Sequence, residues 1–325
     1  MARPRRVIPG RTYLLTRRCF ERRYFLTPSA VVQHVFTYCL AVAALRFGVL
    51  LHAAVVMSNH HHIVLTDVRG NLPRFCHLLH SLVARMLNMS YDRSESFWAP
   101  GSYSAVVLAE PDDVLDKMAY VLANPVTAGL VEHGPDWPGF ITTPKMLLGK
   151  RSQGIVIKRP EGFFVEKTNM PATVELTFSC PPCLEETIGR EAAAAQLQRR
   201  REAKEKTARK RVEELGVSFL GKKAIRDQSP YDSPNSHEPR FQLSPNLACR
   251  DVWKRIELLQ EKSDWLEEYA ECRWRFKQGE RNVEFPYGTW GPRVLYGARV
   301  KPPSSPEPTS SPPKPPPEHP PPLAA

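Results

Sequence analysis

The chain has 325 residues, a formal net charge of +11 and an isoelectric point near 9.4. That length allows one large domain or two modest ones, and the positive balance favours a polyanionic partner. Seven cysteines at irregular spacing exclude a disulfide framework, and reduced thiols fit a cytoplasmic location.

Residues 1–6 are basic, but no apolar run follows them directly, so no signal peptide is expected. Residues 13–19 alternate well enough for a first strand. Pro28 and Ser29 then open a helix that runs to about Phe47, where Gly48 supplies a stop. The most apolar stretch, residues 31–57, is interrupted by Gln33, His34, Arg46 and Gly48. It reads as a buried helix followed by a strand, with no membrane partner. Strands are expected at residues 49–57 and 60–66 around Ser58 and Asn59. Asn71-Leu72-Pro73 opens a second helix, with Phe75, Leu78, Leu79, Leu82, Val83 and Met86 at helical spacing. Residues 102–109 read as a fourth strand. A helix follows from Asp112 to Ala123, and Pro125 disfavours helix at Asn124. The order β-α-β-β-α-β-α predicts an antiparallel sheet with helices packed on it, an α+β domain.

From Gly149 the character changes. Short β-like pieces surround Gly162 and residues 173–179, and Cys180 and Cys183 form a lone CxxC, a weak zinc signal. Residues 185–215 form a charged helical stretch, and within it residues 199–211 hold eight basic side chains against two acidic ones. Such a stretch can track a phosphate backbone or simply be solvated. Residues 251–276 recover helical periodicity through Val252, Ile256, Leu259, Leu266 and Tyr269, and Trp253, Trp265 and Trp274 suggest a small packed unit. Residues 301–325 are rich in Pro and Ser and predict a disordered or polyproline tail. The chain thus divides into a catalytic domain (1–148) and a β segment with a basic helical linker (149–216). A mainly helical accessory region with a possible DNA-contacting role (217–300) and the tail complete it.

The chemistry concentrates in two stretches. Side chains of a strand alternate faces, so His60 and His62 share one face and His61 takes the other. Two imidazoles two residues apart can grip one divalent ion. Tyr120 and Asn124 are four apart, on one side of a helical turn. Their phenol and carboxamide could complete a metal-assisted phosphoryl-transfer site. Phe97 and Trp98 could stack on an extruded base or pack in the core.

The stretch Ser58-Asn59-His60-His61-His62-Ile63-Val64-Leu65, followed by Tyr120, Asn124-Pro125-Val126 and Ala128-Gly129-Leu130-Val131, resembles the single-tyrosine transposases of the IS200-like (HUH) superfamily. The REP-associated tyrosine transposase branch is the best match. Pro9-Gly10 through Arg18 is similar to that family's opening strand, so the resemblance covers residues 1 to about 145. It implies a ferredoxin-like palm on which Tyr120 attacks single-stranded DNA, giving a 5′-phosphotyrosine link and a free 3′-OH. It also implies His60, His62 and Asn124 as ligands of Mg²⁺ or Mn²⁺, with Arg17, Arg18 and Asn59 contacting DNA. The implied partner is a strand with hairpin repeats, and the implied assembly includes a homodimer. Two positions depart from the pattern: His61 stands where an apolar residue is usual, and Ser58 where proline is common. Two alternatives are a rolling-circle nickase and a domesticated, repeat-associated DNA-binding protein. The former often carries a second tyrosine or an ATPase motif, and neither is evident here. A hydrolase that uses the histidines without covalent catalysis would leave Tyr120 dispensable.

Overall fold

A computed structural model describes residues 4–101, 103–149, 154–164, 169–235 and 245–303. The first seven elements are β1 (Arg11–Arg18), α1 (Ala30–Phe47), β2 (Val49–Met57), β3 (His60–Asp67), α2 (Leu72–Ser90), β4 (Ser104–Leu108) and α3 (Pro111–Thr127). The strands form one antiparallel sheet in the order β2-β3-β1-β4, the ferredoxin-like arrangement. The fold is α+β, as the element order predicts. Helices α1 and α2 cover one face of the sheet, and α3 covers the other.

Alternation along each strand feeds two separate cores. Tyr13 and Leu15 of β1 and Ile63 and Leu65 of β3 pack with α1 and α2. Leu14 and Val64 turn the other way, onto Val114, Met118 and Leu122 of α3. Each core residue buried this way contributes about 1.5–3 kcal/mol.

Helix α1 begins where Ser29 Oγ accepts the Val32 N–H at 3.1 Å, and it ends at Gly48 with φ 67°, a left-handed position that favours glycine. Length and composition alone would let α1 cross a membrane. Here most of its apolar residues are covered by protein, Val31 and Leu45 near its two ends being exposed. The hairpin of β5 (Ile155–Lys158) and β6 (Thr173–Leu176) packs Ile157, Val174 and Leu176 into the same core as α1. Tyr38 of α1 donates to Pro171 O at 2.6 Å, fastening that cover. A helix apolar on all sides is stable in water only when enclosed like this.

After the hairpin come α4 (Pro182–Ile188) and α5 (Arg190–Glu214), separated by Gly189 at φ 79°. Cys180 is buried in the second core, and the described residues contain no group of three or more His, Cys, Asp or Glu side chains set to hold a metal. Helix α5 lies along α3, burying Ala193, Ala194 and Leu197 against it. The chain continues through α6 (Lys222–Arg226), then β7 (Leu247–Ala248), which joins the main sheet parallel to β4. Helix α7 (Val252–Lys277), β8 (Glu284–Phe285), α8 (Gly291–Tyr296) and β9 (Arg299–Val300) close the described chain.

Two expectations change, and between them one open alternative is settled. Pro125 does not end α3 before Asn124; the helix runs through it to Thr127. Only the bond to Val121 O is lost, because proline lacks the N–H, and the last turn is rebuilt beyond it. Leu130 N–H donates to Pro125 O at 3.0 Å and Gly129 N–H to Val126 O at 2.9 Å, a Schellman closure with Gly129 at φ 69°. Second, of the two readings open for Phe97 and Trp98 the core one holds: they are 2% and 8% exposed. Third, the small C-terminal core is built from Cys272, Val283, Phe285 and Ala298, with Trp265 stacked on Tyr269. Trp253, Trp274, Val252, Ile256 and Leu259 face solvent instead. Most of the proline-rich tail lies outside the described residues.

Candidate active site

The site begins at the two-residue Ser58-Asn59 turn between β2 and β3, in which Met57 pairs with His60. The turn is fixed from both sides: Cys19 N–H donates to Asn59 O at 2.8 Å, and Leu26 N–H to Ser58 O at 2.9 Å. At the far end of β3, buried Asp67 accepts the N–H groups of Asn71 and Leu72 at 2.8 and 2.7 Å, tying the strand to the start of α2. The His strand is therefore held rigidly at both ends.

His60 and His62 share a face, with ring centroids 4.8 Å apart and planes nearly perpendicular. Each ring is oriented through Nδ1. His60 Nδ1 lies 2.7 Å from Asn59 Oδ1, and the Asn59 amide in turn donates to Arg22 O at 3.2 Å. That second bond identifies Oδ1 as the oxygen facing His60, so Nδ1 is the donor in this contact. His62 Nδ1 lies 2.7 Å from Thr16 Oγ1, across the β1–β3 pair in which Thr16 and His62 are direct partners. Burial first, then the charges of His60 and His61, holds the His62 pKa well below the usual histidine range. The ring is thus neutral near pH 7, the form that ligates metals.

Helix α3 brings Tyr120 to this pair, with its ring centroid 5.4 Å from that of His62. Burial raises the phenol above its ordinary value, while a hydrogen bond with Asn124 acts the other way. Asn124 is itself buried, one turn along the uninterrupted helix. The four residues His60, His62, Tyr120 and Asn124 are thus gathered on one side of the sheet. Helix α3 is held by its ion pairs: Lys204 and Arg250 reach Asp116 at 2.8 and 2.7 Å, and Arg200 and Arg250 reach Asp112.

The residues predicted to contact DNA fall in different places. Arg18 is exposed and pairs in register with His60, so alternation sets it on the face of the His pair. Arg17 pairs with His61 and lines a cleft on the opposite side of the sheet. Asn59 is engaged with His60 and Arg22, as a support for the imidazole. In the basic stretch of α5, Arg200 and Lys204 bind α3, while Arg201 and Arg209 lie 3.4 and 3.7 Å from the buried Glu205 carboxylate. Much of that charge is spent inside the protein rather than facing outward.

Two residues at the site carry no signal in a single sequence strong enough to assign a role. Thr16 sits within the first strand, and its role depends on the β1–β3 register. Lys117, one turn before Tyr120, has its ammonium 6.0 Å from the Tyr120 ring centroid. Its i,i+3 spacing was available, but not the direction that the helix face takes.

His61, between the two site histidines, is fully buried on the other face. Its Nε2 meets His80 Nε2 at 3.1 Å, and Trp98 packs against both rings. Desolvation keeps both imidazoles well below the usual histidine range, so one donates its N–H to the other's lone pair.

The donor set suits a divalent ion. Two imidazoles, of which His62 is neutral, carry the oxygen partners at Nδ1 that accompany metal-binding histidines, and the buried Asn124 carboxamide lies on the helix that brings Tyr120 to them. An amide oxygen fits Mg²⁺ or Mn²⁺, and imidazole broadens the choice toward transition metals.

No family model matches the chain, and no curated protein matches it. Among solved structures, it is similar to a REP-associated tyrosine transposase bound to a REP hairpin. That match has 18% identity and a TM-score of 0.38, over 53% of this chain and 96% of the other. It is also similar to a protein from Deinococcus radiodurans R1, provisionally described as a transposase. Identity there is 22% and the TM-score 0.27, over 34% of this chain and 88% of the other.

Proposed function

We propose that this protein is a metal-dependent tyrosine transposase that cuts and rejoins single-stranded DNA. The observation that carries the reading is the meeting of Tyr120 with His62 at 5.4 Å between ring centroids, His60 being 4.8 Å further on and Asn124 one turn along the same helix as the phenol. A lone pair of buried histidines would serve packing, and a lone tyrosine would serve as core. A phenol placed beside two oriented imidazoles is the arrangement that covalent phosphoryl transfer needs.

His60, His62 and Asn124 would hold Mg²⁺ or Mn²⁺. When bound, such an ion supplies positive charge to a non-bridging phosphate oxygen as negative charge builds in the transition state. The Tyr120 oxygen attacks the phosphorus, the bond to the 3′-oxygen breaks, and the proton lost by the phenol ends on the released 3′-OH. One phosphodiester is exchanged for another, so rejoining needs no ATP. The raised Tyr120 pKa makes the hydrogen bond from Asn124 valuable, because it favours the ionised form. Lys117, one turn away, adds positive charge beside the ring. Arg18 on the same face would position the strand through its phosphates. The substrate proposed is a single strand beside a hairpin, and the resemblance at the His and Tyr motifs suggests it.

The test is a covalent-adduct assay. The protein is incubated with labelled single-stranded oligonucleotides from the ends of its own locus, with Mg²⁺ or Mn²⁺, and resolved on a denaturing gel. An adduct that disappears with EDTA and in Tyr120→Phe is the expected result. Binding without an adduct under either metal would overturn the reading in favour of a DNA-binding protein.

A further inference from the structure

The face of the sheet opposite Tyr120 carries a second feature that the proposed chemistry does not use. A cleft of about 1240 Å³ runs between β1, β4, α2 and α7. Among its described lining residues are six arginines and lysines but only two carboxylates, Glu110 and Glu261. Glu261 is already taken by Arg6 at 2.6 Å.

Arg17 occupies the floor. Its one hydrogen bond among the described residues is a long one, 3.4 Å from Nη2 to Ala99 O, and its buried Nε has no partner. Among the described residues, the neighbours that influence its charge are Cys76, Tyr103 and a second cation, Arg5, with no carboxylate among them. Burial pulls its pKa below the usual arginine range. A guanidinium desolvated without an anion is costly, and the cost is relieved by a bound anion. Around it, Arg5 Nη1 donates to Tyr103 Oη at 3.0 Å with its guanidinium 4.7 Å above the Tyr103 ring. The buried ring of His80 and the indole of Trp98 form the adjoining wall.

We propose that this cleft binds the phosphate of a nucleotide, with Arg17 as the anchoring fork and the aromatic wall beside the base. A planar guanidinium fork matches two phosphate oxygens at once, which an ammonium does not. The apolar and aromatic part of the lining favours a ligand with a flat ring over a bare inorganic ion. The same chemistry is offered by a free mononucleotide and by a nucleotide within a single strand. The site is separate from Tyr120, so its occupancy can be measured without any cleavage.

Isothermal titration calorimetry on the full chain carrying Tyr120→Phe decides the matter, with 5′-dAMP, a thymidine pentanucleotide and inorganic phosphate as probes. Arg17→Gln removes the fork and keeps most of the stem. His77→Glu, on an exposed α2 position that lines the cleft, adds repulsion without touching the core. Arg17→Gln is expected to weaken binding of dAMP or of the pentanucleotide by about tenfold or more, and His77→Glu by about threefold. Binding of dAMP assigns a free nucleotide, and binding of the pentanucleotide alone assigns a strand segment. If Arg17→Gln does not fold, the His77→Glu arm stands by itself. The proposal is overturned if neither nucleotide probe binds, if both variants bind like the parent, or if inorganic phosphate binds as tightly as dAMP. Because Tyr120 is already removed, none of these outcomes depends on the cleavage chemistry.

Discussion

The two faces of β3 use the same residue type for opposite ends. On one face, His60 and His62 are oriented through oxygen partners and turned toward Tyr120. On the other, His61 is sealed among Phe36, His80 and Trp98. The difference is one of partners. A histidine held by an oxygen at Nδ1 presents Nε2 as a ligand atom, whereas one bonded to another buried imidazole is consumed by packing. Within three consecutive residues the strand therefore separates the proposed reaction site from a sealed histidine pair.

The largest effects are expected on the face of Tyr120. Tyr120→Phe is expected to lower the covalent-adduct rate by about 10³-fold or more, measured in single turnover, with the fold unchanged by circular dichroism. Next, His60→Ala or His62→Ala is expected to cost about 10²–10³-fold in the same rate, partly restored by raising Mn²⁺. Thr16→Val tests the support beneath His62. It is expected to weaken the Mn²⁺ dependence of the rate by about 10–100-fold, leaving the rate at saturating metal close to wild type.

The sealed histidine pair answers differently. His61→Leu leaves His80 Nε2 without its buried partner and is expected to cost about 1–3 kcal/mol in urea unfolding. The adduct rate should stay within about threefold of wild type. His61→Leu/His80→Leu removes both polar partners, so the double variant should be less destabilised than the sum of the two single ones. A large loss of activity in His61→Leu at unchanged metal affinity would show that the two faces are not independent.

Much of this arrangement is legible in the chain itself. The element order, the alternation that splits His60 and His62 from His61, and the i,i+4 relation of Tyr120 and Asn124 are local properties. So are the Ser29 and Gly48 ends of α1. What was not legible depends on partners distant in sequence. Pro125 reads as a helix stop, yet Gly129 and Leu130 complete a closure beyond it that keeps Asn124 helical. The eight cations of residues 199–211 read as a phosphate track, while Asp112 and Asp116 on α3 and Glu205 on α5 itself engage several of them. Alternation tells that Arg17 and Arg18 diverge. Only the register against β3 tells that Arg18 shares the face of His60 and Arg17 that of His61. The tryptophans of α7 have helical spacing, but Trp265 alone finds a cover, from Tyr269 and a bond to Tyr287 O at 2.8 Å.

The central claim is that Tyr120 itself becomes joined to DNA. The most direct measurement is peptide mapping by mass spectrometry of the adduct formed with Mn²⁺ and a short single-stranded oligonucleotide. The account predicts a nucleotide 5′-phosphate attached to the peptide that contains Tyr120, and no such mass when Tyr120→Phe is treated alike. A nucleotide carried by any other peptide, with Tyr120 unmodified, would contradict it.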